Sequence, residues 1–109
     1  MTSDNEQLRG RVLSLLGLAR AANYAAFGHN AAKAAVRERR ARICLLCSDA
    51  SPRLCEEFEY LAQEAGIPLL KIPADSAALK QATQFGAAVL TVNDRGFANK
   101  LAAFLVPNA

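Results

Sequence analysis

The chain has no tryptophan, one methionine and one histidine, and its aromatic rings are limited to two tyrosines and five phenylalanines. So few rings argue against a stacking platform of surface aromatics, the device by which sheet-based single-strand RNA binders hold their bases. No stretch approaches the roughly 20 consecutive apolar residues of a membrane-spanning helix. The opening MTSDNEQ is polar and acidic, the opposite of a secretory leader. A cytoplasmic protein that makes no use of a membrane is therefore expected. A single histidine and scattered acids leave little material for a paired acid–base centre, so no catalytic residue, metal ligand or cofactor is expected. Ser14 and Ser51 stand in no nucleophile-elbow context. Linkers, internal repeats and low-complexity tracts are also missing, and 109 residues at 52% hydrophobic content suit one domain with a real core, residues 1–5 forming a flexible tail.

Three cysteines, Cys44, Cys47 and Cys55, cannot make a disulfide framework. Cys44 and Cys47 form a C-x-x-C in CLLC, which reads as half a metal site, as a redox pair, or as structural cysteine. The last is favoured. The surrounding run is strand-like, residues three apart in a strand face opposite sides, and no second C-x-x-C exists.

What the chain does have is a local concentration of positive charge. The segment GHNAAKAAVRERRAR (28–42) holds Lys33, Arg37, Arg39, Arg40 and Arg42 against Glu38 alone, a net +4. The other 94 residues carry eight basic and nine acidic side chains, a net −1. The patch coincides with a helix that opens on Gly-His-Asn. Unpaired amides and the helix dipole at such an end favour anions, so phosphate-rich partners are the first expectation.

Around this segment the pattern alternates helix and strand. Apolar residues recur at helical spacing from Glu6 to Ala22 (Leu8, Val12, Leu15, Leu16, Ala19), with Gly17 allowing close packing and Arg20 on the later turns. A short strand is expected over Asn23–Phe27, then a turn at Gly28-His29-Asn30 into the basic helix. In that helix Ala32, Ala35 and Val36 make the apolar face. At about 100° per residue, Asn30, Lys33, Arg37 and Arg40 share a polar one. Ala41–Cys47 and Ala87–Val92 are near-continuous apolar runs, the mark of strands covered on both faces. Ser51 and Pro52 suit the N-cap and first position of a helix over Pro52–Ala65 that Gly66 ends. Pro68–Ile72 reads as a strand, Ala77–Gln84 as a short helix capped by Ser76, and Arg95 to about Leu105 as the last helix. Alternation on this period gives an α/β sandwich.

Two readings stand at Gly28-His29-Asn30. Either a glycine turn brings a helix end against a nucleic-acid backbone with Asn30 reading base edges, or Asn30 is an ordinary cap. The basic face behind it favours the first. Ser48-Asp49 and Asp94 sit at strand ends, where α/β folds place active sites, but turn and capping chemistry accounts for both.

The pieces LLGLARAA (15–22), FGHNAAKAAV (27–36), RICLLCSDASP (42–52), GIPLLKI (66–72) and VLTVNDRGFANKL (89–101) resemble, in order and spacing, the bacterial YlxQ-like branch of the ribosomal protein L-seven-Ae superfamily of kink-turn RNA binders. The resemblance covers about residues 8–105. It implies a three-layer α/β/α sandwich with a four-stranded mixed sheet. It also implies binding of a kink-turn, an RNA bend built on tandem sheared G·A pairs, in ribosomal or other structured RNA. Carried over, Gly28 is the turn glycine, Asn30 the motif asparagine, Asp49 the strand-end acid, and Phe85-Gly86 the loop beside the bulged nucleotides. The motif glutamate is Ala31 here and the motif lysine Ala34, with Lys33 one position early; the usual Leu-Gly of the later helix reads Leu79-Lys80. The RNA-binding set expected is Arg20, Gly28, His29, Asn30, Lys33, Arg37, Arg40, Asp49, Phe85 and Gly86, in a monomer. The alternative is a protein–protein interaction module on the same fold.

Overall fold

The two strongest apolar runs become the two central strands. In the computed structural model, which describes residues 2–106, β1 is Ala25–Phe27, β2 Ile43–Leu46, β3 Leu69–Lys71 and β4 Val89–Val92. The sheet order is β1-β4-β2-β3, with β4 antiparallel to both β1 and β2 and β3 parallel to β2. The register sets Ile43 opposite Val92 and Cys44 opposite Leu69, so β2 and β4 are covered on both edges and both faces.

Side-chain alternation along β2 divides the core in two. Ile43, Leu45 and Cys47 face α1 (Thr2–Ala21), α4 (Ser76–Thr83) and α5 (Arg95–Leu105), where they meet Val12, Leu16, Leu79 and Leu101. Cys44 and Leu46, with Val89, face α2 (His29–Arg37) and α3 (Pro52–Ala65), where they meet Ala35, Val36, Phe58 and Leu61. The result is the expected three-layer α/β/α sandwich on a four-stranded mixed sheet. Cys44 and Cys47 lie in different layers, so the C-x-x-C spacing joins no common site. Burial pushes both thiols up to about 12.

Local signals hold at several ends. The Ser51 hydroxyl accepts from the Leu54 amide, Pro52 opens α3, and Gly66 closes it at φ 70°. Gly17 allows the close approach it suggested: a Cβ there would stand 3.1 Å from the Ala82 carbonyl oxygen of α4.

Strands β2, β3 and β4 are one or two residues shorter at their ends than the apolar runs that mark them, and four other boundaries differ. Helix α1 begins at Thr2, within the tail expected over residues 1–5, because no proline or glycine precedes Gly10 to stop it; Met1 lies outside the described residues. Strand β1 begins at Ala25 because Asn23, at φ 64°, closes α1 through its amide bond to the Arg20 carbonyl. Helix α4 is capped by Asp75, whose carboxylate accepts from the Ala78 amide at 2.8 Å, leaving Ser76 as its first residue. Helix α2 ends at Arg37, and Arg39, at φ 62°, reverses the chain so that the Arg40 and Ala41 amides fold back on the Ala35 carbonyl. Arg40 therefore leaves the helix.

Candidate nucleic-acid interface

Backbone bonds gather three loops at one end of the sheet. The Gly28 amide donates to the Val89 carbonyl and the Cys47 amide to that of Ala88, both at 2.9 Å. The Gly28 turn, the Ser48-Asp49 loop and the 84–88 loop thus lie side by side. Gly28, at φ 96°, is the N-cap of α2 and makes no side-chain cap bond. A Cβ there would meet nothing within 4 Å, so glycine is required by the backbone conformation rather than by space. Asn30 is exposed and lies inside the first turn, two residues past the N-cap, so it does not cap the helix.

Looking down α2, Ala32, Ala35 and Val36 point at the sheet and Asn30 points directly away. The two flanks differ. On the α3 side, His29 Nε2 lies 2.8 Å from Glu57 Oε1, and Lys33 Nζ 3.3 Å from Glu57 Oε2. Phe58 packs under the imidazole, with ring centroids 5.7 Å apart and planes at 87°. Hydrogen bonding to Glu57, then to Asn30, raises the His29 imidazole above its ordinary value. The same bond from His29 holds the Glu57 carboxyl below its own. Arg37 extends this flank into grooves shared with Arg39, Arg53, Glu56, Glu64 and Tyr60, the last a residue 64% exposed.

The other flank is hollow. Ala31 and Ala34 border a concave opening of about 600 Å3, with Ala25, Ala26 and Phe27 of the edge strand on one side and Arg20 and Arg40 at the rim. Phe85 closes one end. Its ring stacks on Phe27 with centroids 5.2 Å apart and planes 16° from parallel, while the Arg20 guanidinium lies 5.2 Å above it. Arg20 Nη2 also donates to Gln84 Oε1 at 3.4 Å. Cation and ring together form a surface on which an unpaired base can stack and a phosphate can be neutralised.

The sequence-predicted residues thus separate into groups. Arg20, Arg40 and Phe85 converge on the opening beside Gly28, and Asn30 crowns the adjoining helix turn. His29 and Lys33 are turned to Glu57, and Arg37 borders α3, so Asn30, Lys33, Arg37 and Arg40 do not share one helix face: α2 ends before Arg40. Asp49 is a bracket between layers, its carboxylate accepting from the Ser76 amide at 3.0 Å and the Ser76 hydroxyl at 2.6 Å. The hydroxyl bond, reinforced by the amide, holds its carboxyl below the ordinary value. Gly86 packs under the Lys80 stem; a Cβ there would stand 3.3 Å from Lys80 Cδ. Asp94 is the N-cap of α5, accepting from the Phe97 amide. Among the described residues no three His, Cys, Asp or Glu side chains are gathered to hold a metal ion, and no helix is long and apolar enough to cross a membrane.

Two contributors had no distinct sequence signal. Buried Thr83 holds the Phe85 loop, its hydroxyl donating to the Leu79 carbonyl at 2.7 Å and accepting from the Phe85 amide at 3.2 Å. Glu57 comes from a different helix, 28 residues from His29.

The profile of the ribosomal protein L7Ae/L30e/S12e/Gadd45 family matches residues 10–102. Among solved structures, a Bacillus halodurans protein of unknown function is similar at 30% identity, with a TM-score of 0.79 over 85% of this chain and 94% of that one. The Giardia lamblia 15.5kD RNA binding protein is similar at 18% identity, with a TM-score of 0.73 over 91% of each chain, a likeness of fold. No curated protein matches the sequence.

Proposed function

The chain belongs to the ribosomal protein L7Ae/L30e/S12e/Gadd45 family, and from that premise we propose that it is a small, non-enzymatic cytoplasmic RNA-binding protein that recognises a kink-turn or related structured RNA, in association with the ribosome. The observation that carries this reading is the convergence of Arg20, Arg40 and the stacked Phe85 on the hollow flank of α2, next to the Gly28 amide end and Asn30. The Giardia relative of like fold is itself an RNA-binding protein. In this reading Asn30 faces the G·A pairs, Phe85 stacks on a bulged nucleotide, and Arg20 and Arg40 neutralise phosphates, Arg40 exchanging its exposed 3.0 Å pairing with Glu38 for the RNA. Arg37 adds long-range attraction, while Lys33 is already engaged by Glu57. The small side chains of Ala31 and Ala34 leave base reading to Asn30 and shift the balance towards backbone affinity. The protein acts as a monomer, its exposed large apolar side chains among the described residues being few: Leu18, Tyr24, Tyr60, Phe85 and Val106.

The test is a titration against a kink-turn RNA and a control whose tandem G·A pairs are converted to Watson–Crick pairs, at two salt concentrations. Preferential binding to the kink-turn, weakening with salt, is expected. Equal, salt-sensitive binding to both refutes kink recognition and leaves general RNA affinity. Absence of binding to either favours the second reading, a protein partner on the α2–α3 surface. Exposed Tyr60 and the interleaved Arg37, Arg53, Glu56 and Glu64 suit such a partner, since aromatic and arginine side chains are enriched at protein interfaces.

A further inference from the structure

The only histidine of the chain stands between a carboxylate and the side chain expected to face the bases. His29 Nε2 lies 2.8 Å from Glu57 Oε1, and its Nδ1 lies 3.2 Å from Asn30 Oδ1. Both neighbours are oxygens without a proton to give: an ionised carboxylate and an amide carbonyl only accept. The ring satisfies both only as imidazolium, with a proton on each nitrogen. When one proton leaves, the remaining N–H stays with the carboxylate, because the charged acceptor makes the stronger bond. Nδ1 then becomes an acceptor, and the Asn30 amide must turn over to offer it the NH2 group.

We propose that His29 is a positioning residue that sets the hydrogen-bond polarity of Asn30: protonated, it directs the Asn30 NH2 outward as a donor, and neutral, it directs the carbonyl outward as an acceptor. An outward NH2 suits base-edge acceptors such as guanine N7 and O6; an outward carbonyl suits exocyclic amino groups. The proposal rests on the reading of Asn30 as the base-facing residue.

The surroundings support a two-state ring. Phe58 of α3 packs against the imidazole with the two rings near perpendicular, at 87°. The charged groups facing His29 are Glu57 from α3 and Lys33 from α2, and Lys33 is itself paired with Glu57. The hydrogen bond to Glu57 is the largest influence on the ring and the bond to Asn30 the next, both favouring the protonated form, so the change of state falls at a pH above the ordinary histidine value of 6.5.

The test has two arms. In the free protein, nitrogen-resolved NMR follows the His29 ring and the Asn30 side-chain amide through a pH titration. The Asn30 amide is expected to shift with the His29 midpoint, to move with it to lower pH in Glu57→Gln, and to lose its titration in His29→Gln. An Asn30 amide that ignores the His29 midpoint overturns the relay. In the second arm, the kink-turn and control RNAs are titrated at pH 5.5 and pH 9, with Asn30→Ala in parallel to remove any pH response of the RNA. The ratio of affinities is expected to change about 5-fold between the two pH values, the worth of roughly one net hydrogen bond, in the wild type only. A relay seen by NMR with a pH-independent ratio overturns the specificity role. A relay seen by NMR with no discrimination at either pH overturns that role together with the reading of Asn30. A discriminating protein whose Asn30 amide does not titrate overturns the relay and leaves the RNA reading standing.

Discussion

Putting back the two side chains that the hollow flank of α2 lacks is a perturbation with a calculable outcome. In Ala31→Glu/Ala34→Lys both new side chains would project into the 600 Å3 opening rather than the core, since the sheet-facing positions are Ala32, Ala35 and Val36. Ala31 is exposed and Ala34 partly so. The fold should hardly respond. Exchanging alanine for these two good helix formers costs about a few tenths of a kcal/mol each. The first turn of α2 has no acid, and a glutamate there recovers about 0.3–1 kcal/mol from the helix dipole. Binding should respond strongly. One added two-point contact to a base edge is worth about 1–3 kcal/mol of discrimination, or roughly 5- to 150-fold in the ratio of dissociation constants. The assay is the ratio for kink-turn over G·A-substituted RNA in variant and wild type, with thermal unfolding as the control. A ratio that stays put while the melting temperature is preserved would refute the placement of this flank against the G·A pairs.

Other consequences follow from the same geometry. If Arg20 contacts a phosphate, Arg20→Ala should weaken binding to both RNAs and reduce the slope of log affinity against log salt by about one unit; an unchanged slope would remove Arg20 from the interface. Leu16 is fully buried where α1 meets the sheet, so Leu16→Ala should cost about 2–5 kcal/mol in denaturant unfolding through the cavity it leaves. With Cys44 and Cys47 pushed up to about 12 by burial, mass spectrometry after brief treatment with a thiol reagent at neutral pH should find partly exposed Cys55 modified first. The His29–Glu57 pair should support the fold within a bounded pH window. His29 is raised, so its contribution is full below the ordinary 6.5 and lost as pH climbs through the folded value. Glu57 is lowered, so its contribution is full above the ordinary 4.5 and lost as pH falls through the folded value. The melting-temperature gap between wild type and His29→Gln should therefore be widest between about pH 4.5 and 6.5 and close in alkali, while a gap that grows above pH 8 would contradict the assignment.

The sequence was legible wherever a local rule acts alone. Continuous apolar runs located β2 and β4, Ser51-Pro52 and Gly66 bounded α3, and helical spacing picked Ala32, Ala35 and Val36 as the buried face of α2. It was opaque where distant segments decide. Ser76 and Asp75 are both good caps, and the choice turns on Asp49, 27 residues earlier in the chain, engaging Ser76. Nothing between Arg37 and Ala41 breaks a helix by type; Arg39 is left-handed because Ala41 must be buried and lead into β2. That turn is why Arg40 parts from Lys33 and Arg37. Charge counting found the basic segment but not its division, because Glu57 of α3 draws His29 and Lys33 to one flank and the end of α2 sends Arg40 to the other.

The most direct test of the RNA interface is a map of backbone and arginine side-chain NMR shifts in labelled protein as a kink-turn RNA is added. The largest changes are expected at Gly28–Ala34, Phe85–Ala87 and the Arg20 and Arg40 guanidinium groups, with Tyr60 of α3 and Phe104 of α5 silent. Changes centred on Tyr60 and Arg53, with the Gly28 turn undisturbed, would contradict this interface.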